Sequence, residues 1–234
     1  EKKVEEQEVV FLMDRFGYAK TVDVATYERN KEAADAENKW IVNCINTGKL
    51  CVFTNTGKMH QIKVLDIPAG KFRDKGVPID NLCNYDSAKE YIIQVLDAQT
   101  MIHSTLLFAT AKSMLKVMDG DLLNASKRTV QATKLSEDEL VAVIVADWSE
   151  ESEDKVVLQT KDGVFLKFPY AEIPKKKKSA LGVRGMKLSK DDLITNVYVM
   201  DAQNISSIMY KEKELEFNRL KLSKRDTKGT KVRR

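Results

Sequence analysis

Cysteine is scarce in this 234-residue chain, and its three copies, Cys44, Cys51 and Cys83, form no Cys-x-x-Cys pair. Neither a disulfide framework nor a zinc ribbon is therefore expected, and a reducing compartment is the simplest home. Histidine is scarcer: only His60 and His103 occur, neither with carboxylate or thiol neighbours at metal-ligand spacing, so no metal and no cofactor is expected. No apolar run approaches the length of a membrane span, and the Glu-Lys-Lys start is neither a signal peptide nor an initiator Met. The chain thus reads as a cytoplasmic piece of something longer, with no membrane partner. Aromatic residues make up 7% and are nowhere gathered into a loop of the kind that anchors protein interfaces. Helical periodicity does not persist beyond a turn or two. Asn55-Thr56-Gly57-Lys58 is not a phosphate loop, because such a loop needs a Gly five residues before its Gly-Lys and position 52 is Val. There is no Gly-x-Ser-x-Gly. Asp191 and Asp192 are adjacent, point different ways and read as turn caps. No catalytic residue is expected.

What the sequence has is repetition. Val156–Thr160 and Val164–Phe168 are apolar, β-prone runs joined by Lys161-Asp162-Gly163, where glycine reaches positive φ without a Cβ clash. The same pattern recurs over 11–22, 51–64, 107–117 and 207–217, with reference turn positions Gly17, Gly57, Ser113, Gly163 and Lys213. Their spacing of about 40 to 56 residues is that of a four-stranded propeller blade. A further strand-like run precedes each of the last four hairpins, over 40–45, 91–96, 140–145 and 193–199. Trp40, Trp148, Tyr91 and Tyr198 lie in or beside these runs and read as core. The fold expected is all-β: one β-propeller-like pinwheel spanning 1–234, of about five or six four-stranded blades. Approximate blade bounds are 9–50, 51–105, 106–155, 156–206 and an incomplete 207–234. No outer strand follows Arg234, so Val4–Val10 closes the array, the array is open, or the natural chain continues.

Charge is distributed unevenly. The formal net charge is +4, yet from Glu172 onward seventeen Lys and Arg face eight Asp and Glu, which leaves the preceding part acidic. A basic end on an acidic body points to a polyanionic partner. The cations gather in the connectors that follow the hairpins, over 72–78, 126–130, 174–187 and 223–234, beside small residues that let a backbone approach a phosphate. Solubility alone explains one such connector; four at matching places in successive repeats favour a binding role. The foremost candidates are Lys175, Lys176, Lys177, Lys178, Arg184 and Lys187. Behind them stand Arg73, Lys75, Lys127 and Arg128, and then Lys224, Arg225, Lys228 and Lys231.

Several stretches together resemble one family: Phe53-Thr-Asn-Thr-Gly-Lys58 with Ile67-Pro68, Lys75-Gly-Val-Pro78, Leu158-Gln-Thr-Lys-Asp-Gly163, and Leu181-Gly-Val-Arg-Gly-Met-Lys-Leu188 with Asp191-Asp192. They are similar to the C-terminal β-pinwheel of the A subunits of bacterial type IIA topoisomerases, gyrase and topoisomerase IV. The resemblance implies a non-catalytic module whose basic outer rim binds and bends double-stranded DNA. It also implies two partners, the ATPase B subunit of the parent enzyme plus the upstream catalytic core of the same A subunit, in a bacterial, nucleoid-associated setting. Gyrase carries a Gln-Arg-Arg-Gly-Gly-Lys-Gly heptad in its first blade. Here the region after the Gly17 hairpin, 27–36, is acidic and lacks glycine, and the nearest match is Ser223-Lys-Arg-Asp-Thr-Lys-Gly229. The balance leans to topoisomerase IV, and wrapping by only part of the rim is expected.

Overall fold

The computed structural model describes residues 2–201 and 206–234. Strands and helices follow in the order β1 (Glu8–Asp14), β2 (Tyr18–Asp23), α1 (Val24–Arg29), α2 (Lys31–Glu37), β3 (Asn38–Ile45), β4 (Lys49–Thr54), β5 (Lys58–Lys63), β6 (Val77–Pro78), β7 (Ile92–Asp97), α3 (Ala98–Ile102) and β8 (Thr105–Thr110). Then come β9 (Met114–Asp119), β10 (Thr129–Gln131), β11 (Leu140–Val145), β12 (Lys155–Thr160), β13 (Val164–Pro169), β14 (Val183–Arg184), β15 (Ile194–Met200), β16 (Ser207–Tyr210), β17 (Lys213–Glu216) and β18 (Thr230–Lys231). All five hairpins and all four additional strands stand where the sequence places them, and the fold is all-β.

The chain forms two compact units. Unit 1 comprises 1–103 and 123–132, and unit 2 comprises 104–122 and 133–234. Unit 1 holds two antiparallel sheets, ordered β3-β1-β2-β6 and β10-β5-β4-β7. Unit 2 holds β11-β8-β9-β14, β15-β12-β13-β18 and the two-stranded pair β16-β17. In every four-stranded sheet the fourth strand comes from the connector of the following repeat. Each sheet is therefore not one continuous stretch of sequence, and the connectors, read as loops, each contain a short strand. Val9 and Val10 lie in β1, between β2 and β3, so the alternative in which Val4–Val10 pairs with the last hairpin is not what forms.

Inner strands are buried on both faces because side chains alternate across a strand. Phe11 and Met13 of β1 pack with Leu50, Val52, Ile62, Ile67 and Val95, whereas Val10 and Leu12 face Tyr27 and Ala34 of α1 and α2. The acidic 27–36 segment is thus a pair of short helices covering the first sheet, started by Asp23, whose side chain accepts from Thr26 N. In unit 2, Val156 and Leu158 of β12 pack with Leu107, Leu115, Phe168 and Tyr170 while Val157 turns to Phe165, Leu215 and Phe217. Trp40, Trp148 and Tyr198 line these cores, but Tyr91 is half exposed and so is not a core residue.

Four hairpins turn through one left-handed residue, at Gly17, Gly57, Ser113 and Gly163. The fifth is tighter. Tyr210 pairs Lys213 across a two-residue loop, and positive φ falls on Lys211 and Glu212 instead of Lys213. This is the mirror-image turn that suits the twist of a short hairpin. Asp192 caps the β12–β13 turn as its sequence position suggested, accepting from the backbone N–H of Asp162 at 3.1 Å.

Candidate nucleic-acid interface

Each basic connector leaves its hairpin through a short 3-10 turn and lies back across the preceding hairpin's second strand. Three connectors share one geometry. A buried or half-buried aliphatic residue, Ile67, Ile173 or Leu220, is followed nine residues later by a left-handed glycine, Gly76, Gly182 or Gly229. Between them a single parallel bridge docks the connector, at Thr21–Ala69, Val117–Lys175 and Lys167–Leu222. Glycine is required because the backbone crosses the strand closely: a Cβ on Gly76 or Gly182 would lie 2.3 Å from the carbonyl oxygen of Ala19 or Leu115. The second connector is shorter and reaches β10 without such a glycine.

Inward-facing donors hold these segments. Lys116 is 2% exposed and donates from Nζ to the carbonyl oxygens of Lys177, Lys178 and Ala180 at 3.2, 2.9 and 2.8 Å. Burial pushes its amine down to about 8, since removing an ammonium from water disfavours the charged form. Lys20, at the same register in the first sheet, donates to the carbonyls of Phe72 and Asp74. In the second sheet Gln61 donates from Nε2 to those of Ala125 and Lys127, at 2.9 and 2.6 Å. Lys167, also buried and pushed down by burial, donates to the Phe217 carbonyl at 2.8 Å. Sequence reasoning missed all four. Only Lys116 and Lys167 carried a signal, as lone polar residues between apolar neighbours in MLKVMD and VFLKFP.

The candidate cations divide into exposed and tethered sets. Lys176, Lys177, Lys178, Lys187, Lys224, Lys228 and Lys231 are exposed, as are Arg73 and Lys127. Lys175 pairs with Asp119 at 2.9 Å and lies over the Trp148 ring. Lys75 lies over the Tyr18 ring, 4.2 Å from its centroid. Arg184 forms a two-pronged pair with Asp226, and its guanidinium holds the Asp226 carboxyl below the usual range. Arg225 is half-buried and donates to the carbonyls of Glu172 and Arg184, so its cation serves the fold more than the surface. In unit 2 the third and fourth connectors meet through these contacts and a Met186–Thr227 bridge, bringing Arg184, Lys187 and the 224–227 stretch together. In unit 1, Lys127 and Arg128 join Lys49 and Lys63, which the sequence reading did not single out, around a cavity of about 290 Å³. Asp66 is the one carboxylate lining it.

His60 is 1% exposed and serves structure. Its Nε2 lies 3.1 Å from both Glu90 carboxylate oxygens, and its Nδ1 lies 2.8 Å from Thr129 of β10. Thr54 and Thr56 donate to the same carboxylate. Among the described residues no three His, Cys, Asp or Glu gather to hold a metal ion, and no helix is long and apolar enough to cross a membrane.

A family model described as DNA gyrase C-terminal domain, beta-propeller, matches residues 48–87, 104–147 and 154–199, more than half of the chain. Among curated proteins, the DNA gyrase A subunit of Lawsonia intracellularis is 27% identical over 222 residues, covering 89% of this chain and 27% of that protein. The DNA gyrase A subunit of Chlamydia pneumoniae is 31% identical over 159 residues, covering 66% of this chain and 18% of that protein. The chain therefore spans about a quarter of the length of such relatives or less. Among solved structures, the C-terminal domain of a DNA topoisomerase IV superposes with a TM-score of 0.82 at 20% identity, covering 98% of this chain and 74% of that one. The E. coli ParC C-terminal domain does so at 0.73 and 17% identity, covering 97% and 94%.

Proposed function

Because the chain belongs to the DNA gyrase C-terminal domain, beta-propeller family, we propose that it is the non-catalytic DNA-binding module of a type IIA topoisomerase A subunit. It binds and bends duplex DNA along its cationic connectors and hands a segment to a catalytic core elsewhere in the same subunit, which works with an ATPase B subunit in the bacterial cytoplasm. The supporting observation is the recurrence of the connectors: each lies on a β-strand and exposes Lys or Arg, and by the register of the parallel bridges Lys71, Lys177 and Lys224 share one place and Lys75 and Lys228 another. Repeated phosphate contacts without base readout follow from that arrangement.

Fluorescence anisotropy with a duplex of roughly 40 bp over a range of salt tests this. Replacing Lys175, Lys176, Lys177 and Lys178 together by Ala should flatten the slope of log K against log salt by about 2 to 4, since each phosphate neutralised contributes about 0.9. An unchanged slope in the folded variant would contradict the assignment. The acidic helices α1 and α2, standing after the first hairpin where gyrase carries its glycine-rich heptad, support a topoisomerase IV-type bending role in decatenation and relaxation. Relaxing a plasmid in the presence of the chain should then change its linking number little; a large positive writhe would favour gyrase-type wrapping.

A further inference from the structure

The hairpin of the second sheet ends in a like-charge pair. Lys49 stands directly opposite Lys63, and like charges facing one another across a strand pair repel. The position of Lys63 is acidic in three of the other four hairpins, where Val9 faces Asp23, Thr105 faces Asp119 and Ser207 faces Glu216, and in the remaining one it is Pro169, opposite Lys155. Nothing in the chain relieves the repulsion in the second sheet. Among the described residues neither lysine forms an ion pair with a carboxylate.

Two further cations are fixed beside this pair. Gln61, itself buried, donates from Nε2 to the carbonyl oxygens of Ala125 and Lys127 at 2.9 and 2.6 Å, and its backbone N–H donates to that of Arg128 at 2.7 Å. These bonds hold Lys127 and Arg128 against the end of β5. The Arg128 guanidinium donates to the Leu82 carbonyl at 3.3 Å, and its other N–H groups have no acceptor among the described residues. All four cations line the cavity of about 290 Å³, where Asp66 is the one carboxylate, so four positive charges against one negative leave the wall at a formal +3.

A concave site of that size takes a small ligand. Its charge calls for several negative charges concentrated at one point. A phosphodiester of DNA carries a single charge, whereas a terminal phosphate carries about −1.5 to −2 at neutral pH and each phosphate behind it in a chain adds about one more. We infer that this cavity is a binding site for a polyphosphate group, of the kind found in pyrophosphate and in nucleoside di- and triphosphates, held by Lys49, Lys63, Lys127 and Arg128. Gln61 is the positioning residue that brings the last two to the first two. The inference does not rest on the DNA-binding reading. It adds that a bound polyphosphate occupies Lys127 and Arg128 and so withdraws the second connector from duplex DNA.

Isothermal titration of the chain at low salt, with inorganic pyrophosphate and with ADP and without divalent metal, tests this. One pyrophosphate per chain is expected. Binding of ADP as tightly or more tightly assigns the site to nucleotides, and markedly weaker binding of ADP assigns it to unlinked pyrophosphate. The Lys63→Glu variant restores the acid that other hairpins carry there. It should bind pyrophosphate at least about tenfold more weakly, while the thermal midpoint of the unliganded variant rises by about 1 to 3 °C as the repulsion becomes an attraction. The same charge change at exposed Lys112, outside the cavity, should leave pyrophosphate affinity within about twofold. Absence of saturable pyrophosphate binding by the wild-type chain, or equal affinity in the folded Lys63→Glu variant, would overturn the site. A duplex of about 20 bp that binds normally in those circumstances leaves the DNA-binding reading standing, and pyrophosphate binding without any duplex binding removes that reading and keeps the site.

Discussion

Lys116 makes the stability of the fold depend on pH. A lysine taken from water favours its neutral form, and here the amine titrates near 8 instead of 10.5. Between those values the unfolded chain binds more protons than the folded one, so stability rises with pH across that window. Denaturant melts at pH 7.5 and pH 10 should show the wild-type chain gaining up to about 3 kcal/mol relative to Lys116→Met, at about 1.4 kcal/mol for each pH step of one between the two values. Glu90 gives the same direction of pH dependence, but through stabilisation of its charged form. Burial raises its carboxyl, yet the N–H of Asp86 and the side chains of Thr54 and His60 outweigh this and hold it below its ordinary value. A depressed carboxyl contributes stability that is present above the unfolded value and lost as pH falls through the folded one. Glu90→Gln should therefore be less stable at neutral pH, and its stability should decline less steeply between pH 5 and 3; equal acid slopes in urea melts would refute this.

Among the elements, the connectors depend most on backbone freedom. Gly182 has φ +92°, and an added Cβ would lie 2.3 Å from the Leu115 carbonyl oxygen. Gly182→Ala should cost about 2 kcal/mol or more by thermal melting and loosen β14 from β9. The hairpins were legible in the sequence because apolar alternation and a turn glycine are local signals, as at Leu158–Phe168. Ser113 could stand for glycine because its alignment with Gly57 and Gly163 exposes it. β6, β10, β14 and β18 were not legible. Each has only two or three residues and is defined by pairing with a strand far back in the chain, as Val183 does with Leu115. The cationic positions were legible as a cluster, but which cations are tethered was not, since Lys175 depends on Asp119 and Arg184 on Asp226. The inward donors escaped notice for a related reason: Lys20 and Lys116 look like ordinary strand lysines until a distant carbonyl is brought to them.

At the scale of the whole molecule, every four-stranded sheet is completed by residues from further along the chain. Removing 207–234 would delete β16, β17 and β18 and leave β13 as an edge. Hydrogen exchange should then show protection falling over 163–166, where Val164 and Phe165 pair with Lys231 and Thr230, while the first sheet keeps its protection. Unchanged exchange there would mean that β18 adds nothing to the sheet.

The staggered pairing also bears on how such a chain could change its number of repeats over evolutionary time. The heritable module is a run of sequence, whereas the folded module is a sheet that draws on two runs. Duplicating one whole run gives its predecessor a closing strand and takes one from its successor, so copy number can rise or fall without leaving an orphaned edge inside the array. The donated strands β6, β10, β14 and β18 act as couplings of one common gauge, with two or three residues of backbone pairing each. Side chains in the runs they join are thereby free to diverge, one toward acidic helices and another toward a run of four lysines.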